Sequence, residues 1–454
     1  MGRRTHPFGR IEDITQNGGV IPRHRTARER SAVGSLDWVN VHRPGIARER
    51  LSIFTDPAAY ADEDAWHGQA ARLRRAEGVT LIHDAGFAPF WAVLRHKDVS
   101  AVERDSATFR NAPYPILVDG PDREGGPPVR NLVGMDGAKH REYRNIVAKW
   151  FLPGAVKPQA AAIEQSVDRK LAELTARNGE TIEFASEVAA DIPLRVILGA
   201  MGIGPADDAK IHRLSQELFG SQDSDVARSD NAETIVAVVR EFGEYFMGLA
   251  MRRRAEPTDD LGSIVANATV GGRLLRPGEL VPYYVLLATA GHDTVSTVLA
   301  GGVEALATHP EQLSRLKDDP SLIPNAIEEM ARWVTPTKHF MRTAARDVEL
   351  GGKPIAAGDW LLLSFPSANR DEEVFAAPFE FDVTRSDASS HLAYGGGGPH
   401  FCLGAHLARL ELRAFFERFI PRVRSLEIDG DVVRAKTTFV ATFKRLPVRM
   451  ELTG

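Results

Sequence analysis

A single cysteine stands where a glycine-rich run meets a helical pattern. Cys402 follows four consecutive glycines, Gly395 to Gly398, and then Pro399-His400-Phe401. Beyond it, apolar residues recur at the spacing of a helix, at Leu403, Leu407, Leu410, Ala414 and Phe415. The unpaired N–H groups and the dipole at a helix N-terminus favour a thiolate, which is a strong, soft ligand for iron. The pattern therefore predicts a turn into a helix with a candidate metal ligand at the junction.

Three ordinary interpretations compete with a metal site at this position. A lone cysteine is commonly a small buried hydrophobic residue, and a glycine run is commonly a flexible loop. A glycine-rich turn that enters a helix can also bind phosphate. That interpretation is weaker because no Gly-Lys-Ser/Thr follows the glycines and no βαβ pattern surrounds them. Glycines on both flanks of Cys402, including Gly404, would let the backbone lie against a broad flat group such as a porphyrin.

The second informative feature is a long apolar segment, which we predict to be one helix from about 281 to 307. Its centre reads Ala290-Gly291-His292-Asp293-Thr294. Ala290 and Gly291 would leave a shallow groove in a bulky helix. The Thr294 hydroxyl can bond to a carbonyl one turn back and distort the helix, and an acid beside an alcohol can pass protons. Ordinary packing of helices through small residues is the alternative.

Composition excludes several classes of protein. The chain has 454 residues, of which 43% are hydrophobic and 26% charged, values typical of a soluble globular protein. One cysteine excludes an internal disulfide and favours a cytoplasmic location, and a net charge of −5 gives no sign of nucleic-acid binding. The apolar run 280–300 carries His292 and Asp293 at its centre, so we predict a buried helix, with no membrane anchor.

Residues 1–50 differ in character from the rest of the chain. They contain ten arginines, no lysine and few periodic apolar residues, so we predict a poorly ordered N-terminal arm. A mitochondrial presequence is a less favoured alternative, because acidic residues occur within the segment. Over 51–454 helical patterns dominate, with short strand patterns such as 90–94 and 360–364. We therefore predict a mainly α fold with a small β subdomain.

The cysteine segment resembles the haem-ligand loop of the cytochrome P450 family, the haem-thiolate monooxygenases. His400, Cys402 and Gly404 match that family's loop in register, whereas Tyr394 lies one place further from the cysteine than the usual aromatic. The loop is thus one glycine longer than the common form. The resemblance covers about residues 60 to 452. It implies the cytochrome P450 fold, a single large helical haem domain, with haem b as cofactor and Cys402 as the iron ligand.

Other positions match further motifs of the family. Asp293 and Thr294 match its acid–alcohol pair for proton delivery, beside Ala290 and Gly291 in the helix above the haem. Four basic residues match donors to the haem propionates, namely His140, Arg144, Arg342 and His400. A buried structural triad beneath the haem loop is matched by Glu329, Arg332 and Arg385.

The resemblance implies hydroxylation of a C–H bond with O2 and two electrons. Because no flavin or nicotinamide domain is evident, it implies an iron–sulfur ferredoxin partner, with NAD(P)H acting only through a ferredoxin reductase. We expect the ferredoxin, an acidic protein, to contact basic residues on the cysteine side, at Arg141, Lys149, Arg409 and Arg413. We also expect a monomer. A peroxygenase or a haem-thiolate sensor is less favoured, because the chain retains Asp293 and Thr294.

The substrate is implied to be a small hydrophobic molecule. By family position the pocket would be lined mainly by apolar residues, at Tyr114, Ile116, Leu117, Leu286, Thr289, Phe439 and Val440. The stretch 280–427 resembles bacterial hydroxylases of monoterpenoids and small alkyl-aromatic compounds. Steroids or fatty acyl chains are the alternative substrates.

Overall fold

Helices make up most of the structure, as the sequence predicts. The computed structural model describes residues 52–84, 86–118, 131–219 and 231–453, and the predicted arm over 1–50 lies outside them. The longer helices are, in chain order, α1 Glu63–Ala76, α2 His96–Arg104, α3 Gly137–Ala148, α4 Ala160–Ala176, α5 Asp191–Ala200, α6 Asp208–Phe219, α7 Asn231–Ala255, α8 Leu261–Ala266, α9 Pro277–Ala290, α10 Asp293–Thr308, α11 Pro310–Asp318, α12 Ile323–Val334 and α13 Ala405–Phe419.

The long apolar segment forms two helices instead of the predicted one. α9 ends at Ala290 and α10 begins at Asp293, with Gly291 and His292 between them. Side chains compete for the carbonyls at this break: the His292 Nδ1 lies 2.8 Å from the Ala288 carbonyl, and the Thr294 hydroxyl donates to the Ala290 carbonyl at 3.3 Å. Side-chain hydrogen bonds to carbonyls one turn back are a known cause of helix distortion.

The main β-sheet joins distant parts of the chain. Its strands are β1 Val79–Ile82, β2 Phe90–Val93, β3 Phe109–Arg110, β7 His339–Ala344 and β10 Trp360–Ser364, in the order β1-β2-β10-β7-β3. β10 is buried along its whole length because it pairs on both sides, parallel to β2 and antiparallel to β7. The predicted small β subdomain is therefore built from the N-terminal part and from residues 339–364 together.

The remaining strands are short and lie in smaller sheets. β11 Val423–Ile428, β14 Pro447–Leu452 and β4 Thr181–Glu183 form a three-stranded sheet. Three two-stranded ladders complete the set, formed by β5 Thr269–Val270 with β6 Arg273–Leu274, β8 Val348–Leu350 with β9 Lys353–Ile355, and β12 Val433–Arg434 with β13 Phe443–Arg445.

The main hydrophobic core surrounds α10. This helix is buried on nearly every face and packs against α5, α12 and α13. α13 follows directly after Cys402, so the cysteine loop and the break between α9 and α10 are both fixed to the same core. Within the described residues, no helix has both the length and the apolarity needed to cross a membrane.

Candidate active site

Cys402 lies at the junction that the sequence predicts, three residues before α13 begins. Its backbone N–H donates to the Tyr394 carbonyl at 2.8 Å, which closes the loop on itself. The side chain keeps an exposed face although protein packs around it. Burial raises the pKa of the Cys402 thiol, while the backbone N–H groups of Gly404 and Ala405 oppose the rise. In the protein alone burial outweighs the helix terminus, contrary to the prediction of a thiolate. Coordination to a metal would remove the proton.

The glycines of the loop are required by a neighbouring helix. A Cβ on Gly398 would lie 1.9 Å from the Glu103 carbonyl oxygen of α2, and one on Gly396 would lie 3.0 Å from the Cα of Ser100. Gly395 and Gly397 have φ of +97° and +93°, a region that favours glycine. Gly396 and Gly398 therefore admit the backbone of α2, whereas a Cβ on Gly404 would meet nothing within 4 Å, and the contact with a flat ligand stays a prediction.

Glu103 links that helix to one of the predicted haem donors. Its carboxylate accepts from Arg342 at 3.0 Å and also from the backbone N–H of Gly396. All of this is buried, and burial raises the pKa of Glu103 while Arg342 and the Gly396 N–H oppose the rise. Sequence reasoning missed Glu103, because nothing in the sequence around a glutamate in an amphipathic helix indicates which distant residue it pairs with.

The four predicted propionate donors lie close together. The rings of His140 and His400 stack with centroids 3.9 Å apart, and Arg144 donates to the Phe401 carbonyl at 2.6 Å. Burial lowers the pKa of His400 to about 3, with further contributions from His140, Arg342 and Arg144. Burial and Arg144 likewise lower the pKa of His140 to about 4.

One nitrogen atom in this group of basic side chains lacks a hydrogen-bond partner among the described residues. The Nε2 of His140 is buried, and no described residue provides it with a hydrogen-bond partner. Two carboxylates beside His140, Arg144, Arg342 and His400 would offset their mutual repulsion and accept their hydrogen bonds. The donor set therefore fits the two propionates of haem.

The predicted structural triad is assembled and buried. Arg332 makes a two-pronged ion pair with Glu329, at 2.6 and 2.8 Å, and Arg385 lies 3.3 Å from the same carboxylate. Both arginines also donate to carbonyls of the segment 376–380. The triad thus fixes the chain that leads toward the cysteine loop.

Asp293 is buried and contacts α6, whereas the half-buried Thr294 bonds to the Ala290 carbonyl. Its Oδ1 accepts from the Gln216 side chain of α6 at 2.9 Å and lies 3.1 Å from the His292 Nε2. Its Oδ2 has no hydrogen-bond partner among the described residues. Gln216 and His292 were not among the predicted site residues. Delivery of a proton from Asp293 to the Thr294 side would therefore require the carboxylate to exchange partners.

Ala290 is the last residue of α9, and Gly291 is the first residue of the helix break. Ala290 is exposed although the residues around it in α9 are buried. A Cβ on Gly291, in contrast, would lie 2.5 Å from the Ile197 side chain of α5. The predicted groove is therefore open at Ala290, whereas Gly291 is needed for close packing of two helices.

Comparison with known proteins identifies this architecture. The sequence model of the family "Cytochrome P450" matches residues 59–449. The chain belongs to the cytochrome P450 family. As such it is a haem-dependent monooxygenase, and members typically receive electrons from redox partner proteins.

Individual P450 relatives cover most of the chain. Cytochrome P450-terp from a Pseudomonas species is 35% identical over 410 residues, 87% of this chain and 95% of the relative. A methyl-branched lipid omega-hydroxylase of Mycobacterium tuberculosis is 34% identical over 395 residues, 85% of this chain and 91% of the relative. The crystal structure of CYP108D1 from Novosphingobium aromaticivorans superposes with a TM-score of 0.82 at 37% identity, over 90% of this chain and 100% of the other.

The predicted substrate-pocket residues of this P450 divide into two groups. Tyr114 and Leu117 are buried in a hydrophobic cluster with Trp360, so they are core residues in this structure. Ile116, Leu286 and Phe439 are half-buried, and the buried Val440 bridges to Thr337. Thr289 is buried and donates its hydroxyl to the Val285 carbonyl at 2.8 Å. Residues 119–130, which follow Tyr114, Ile116 and Leu117 in the chain, lie outside the described residues.

The predicted ferredoxin contacts differ in their surroundings. Arg141, Lys149 and Arg413 are exposed, and Arg413 pairs with Glu417 one turn away at 2.6 Å. Arg409 instead makes two hydrogen bonds of 2.7 Å to Glu328 and lies over the Tyr394 ring at 4.2 Å. Arg409 therefore braces the cysteine loop, and its charge is already paired.

Proposed function

We propose that this P450 hydroxylates a small, largely apolar molecule of the monoterpenoid or alkyl-aromatic kind. Cys402 holds the haem iron, and His140, Arg144, Arg342 and His400 hold the propionates. Bound haem supplies the binding of O2 and the transfer of one oxygen atom to a C–H bond. The observation that carries the assignment is the convergence of four basic side chains, two buried (His140 and Arg342) and two half-buried (Arg144 and His400), beside the chain's one cysteine.

The protein's own residues have separate tasks in this proposal. The carboxylate of Asp293 takes protons from the α6 side and releases them toward the Thr294 hydroxyl. Thr294 can turn its hydroxyl between the Ala290 carbonyl and an external acceptor, because a hydroxyl both donates and accepts. Ala290 keeps the space beside that hydroxyl clear. The order of events is binding of substrate, exclusion of water, and proton transfer through Asp293 and Thr294.

The substrate class follows from the character of the pocket wall. Of the predicted lining residues that the structure describes, the half-buried ones are aliphatic or aromatic, and Thr289 has used its hydroxyl within α9. Such a wall recognises shape and apolar surface, with little capacity to orient a polar ligand. The similarity to cytochrome P450-terp supports a compact substrate, while the similarity to a lipid omega-hydroxylase keeps fatty acyl chains, with steroids, as the alternative.

The same proposal extends to the partners and the setting of the enzyme. Electrons come from an iron–sulfur ferredoxin and its NAD(P)H-dependent reductase, which dock near Arg141, Lys149 and Arg413. The enzyme acts as a cytoplasmic monomer, with a haem domain over 51–454 preceded by an arm over 1–50.

A ligand screen tests the substrate class. Purified ferric enzyme is titrated with monoterpenoids, alkyl-benzenes, fatty acids and steroids, and the change from low-spin to high-spin absorbance is recorded. Ligands that bind are then incubated with ferredoxin, reductase and NADPH, and products are identified by mass spectrometry. We expect the tightest binding and the most product from compact apolar compounds. Tighter binding of long acyl chains or steroids would contradict the proposed substrate class. Turnover with peroxide alone would contradict the proposed dependence on ferredoxin.

A further inference from the structure

A buried histidine joins two segments that line the predicted substrate pocket. His339 begins β7 and has no exposed surface. Its Nε2 accepts a hydrogen bond from the Leu117 N–H at 3.0 Å, and its Nδ1 lies 2.9 Å from the Thr438 carbonyl. These contacts require one tautomer, with the proton on Nδ1 donated to Thr438 and a lone pair on Nε2.

The backbone around His339 connects the same segments. On one side the Met341 N–H donates to the Pro115 carbonyl at 2.8 Å. On the other side the Lys338 N–H donates to the Phe439 carbonyl at 2.8 Å, and the Phe439 ring packs edge-on against His339 with centroids 5.7 Å apart. The imidazole therefore lies in the middle of a layer formed by residues 114–118, 337–341 and 437–441.

The imidazole has a place in this layer that few side chains could fill. It must accept on one edge and donate on the other across a buried gap between two backbones. A phenylalanine would fill the volume but would leave the Leu117 N–H and the Thr438 carbonyl without this partner. A glutamine could both accept and donate. Burial lowers the pKa of His339 to about 4, so the neutral ring needed here is the form present near pH 7.

We propose that His339 is a positioning residue that sets substrate selectivity by fixing the segment 114–118 to the segment 437–441. This inference rests on the proposed pocket, whose two walls carry Ile116 on one side and Phe439 on the other. With the imidazole in place, the separation of the walls is fixed and compact ligands are favoured. Without it, the backbone bond from Met341 to Pro115 remains but the side-chain link between the two segments is lost, so the segment 114–118 moves more and longer ligands enter more readily.

Hydrogen exchange tests the connection without any substrate. Amide exchange of residues 114–118 is measured in the haem-loaded enzyme for the wild type, His339→Phe and His339→Gln. We expect exchange at Leu117 to accelerate about tenfold or more in His339→Phe, since the N–H loses its buried acceptor, and to be partly restored in His339→Gln. His309→Phe is the control, because it removes a half-buried imidazole that contacts the Ala305 carbonyl, just after the end of α10 and away from both segments.

Selectivity supplies the second readout. The ratio of dissociation constants for a long-chain fatty acid and a bicyclic monoterpenoid should fall about tenfold in His339→Phe and stay unchanged in His309→Phe. If His339→Phe does not fold, Leu117→Pro deletes the same hydrogen bond from the other partner and should change the ratio in the same direction. Unchanged exchange at Leu117, or an unchanged ratio, overturns the proposal. Failure of the proposed substrate class is distinguishable, because the exchange result does not depend on any ligand.

Discussion

The region around Cys402 (the cysteine side) and the region around the proposed substrate pocket (the substrate side) are stabilised by different interactions. On the cysteine side, buried ion pairs fix the chain, namely Glu329 with Arg332 and Arg385, and Glu103 with Arg342. On the substrate side, segments are joined by backbone hydrogen bonds and by the neutral ring of His339. Loss of one partner from a buried ion pair leaves an unpaired charge, which costs far more than loss of a neutral hydrogen bond. The cysteine side should therefore tolerate the loss of a partner less well than the substrate side.

The largest effect should come from the ligand itself. Cys402→His should abolish the red-shifted Soret band that ferrous, carbon monoxide-bound thiolate haem shows, together with all monooxygenase activity. Cys402 is the only cysteine among the described residues, so none of them could supply another thiolate. Difference spectra of reduced protein under carbon monoxide measure this. If the band persists in Cys402→Ala, Cys402 is not the iron ligand, and the comparison between the cysteine side and the substrate side loses its starting point.

Changes at the helix break should slow turnover without affecting haem binding. Asp293→Asn should lower the hydroxylation rate by roughly 10²–10⁴-fold if this carboxylate supplies protons. Thr294→Ala should bind substrate and oxidise NADPH, but release much of the oxygen as peroxide. Product and peroxide are measured per NADPH consumed, with Thr308→Ala, at the far end of α10, as control. Unchanged coupling in both site variants would assign these residues to helix packing.

The buried triad should be the most sensitive structural element. Arg332→Ala should lower the free energy of unfolding by roughly 3–5 kcal/mol, because Glu329 would remain buried without its main partner. Arg413→Ala breaks an exposed pair on α13 and should cost about 1 kcal/mol or less. Denaturant titration followed by circular dichroism and haem absorbance compares the two. Equal effects would contradict the large cost assigned to breaking a buried ion pair on the cysteine side.

Lowering the pH should destabilise the folded protein through protonation of His339, which joins segments of the substrate side. Burial holds its pKa at about 4 in the folded protein, with Lys338 as a further cause, against an ordinary value of about 6.5. Because the folded-state pKa is the lower one, this stabilisation is present above about pH 6.5 and is lost as pH falls toward 4. The contribution is roughly 3 kcal/mol. Thermal unfolding between pH 7.5 and 4.5 should show a shallower decline for His339→Gln than for the wild type, and parallel curves would refute this.

The smallest effect concerns the surface of the cysteine side. Arg413→Glu should slow reduction by ferredoxin a few-fold at low ionic strength, with the difference vanishing at high salt. Arg424→Glu, an exposed change on β11, serves as control. Arg409→Glu should behave differently, because it removes the partner of Glu328 and destabilises the loop. Stopped-flow reduction rates across a salt series distinguish electrostatic docking from structural damage. A salt-independent rate would exclude docking through these charges.

Local patterns predicted much of this architecture. The turn at Cys402, the helix that follows it and the fully buried β10 are visible because glycine, helical spacing and an apolar run are properties of adjacent residues. β7 was missed because its sequence, His-Phe-Met-Arg-Thr-Ala, mixes polar and apolar residues without regular alternation. The distortion by the Thr294 hydroxyl was predicted, but the full break at Gly291–His292 was missed, because the contact of the His292 ring with the Ala288 carbonyl leaves the apolar spacing unchanged.

Partners that are distant in the chain were beyond sequence reasoning. The pair Glu103 and Arg342 is separated by 239 residues, and Leu117 and His339 by 222. Nothing near either position specifies the other. The predicted site residues and the buried triad match family motifs, whereas Glu103 and His339 match none and were found only in the folded chain.

The close approach of the glycine loop to α2 has a consequence for recombination between family members. A Cβ at position 398 would overlap the Glu103 carbonyl, so residues 96–104 and 395–398 are compatible only as a set. Chimeras that take α2 from one parent and the cysteine loop from another would combine loops and helices of unmatched length. A crossover after Gly404 takes residues 96–104 and 395–398 from the same parent. Libraries of such chimeras should contain a larger fraction of haem-binding proteins than libraries with a crossover between the two segments.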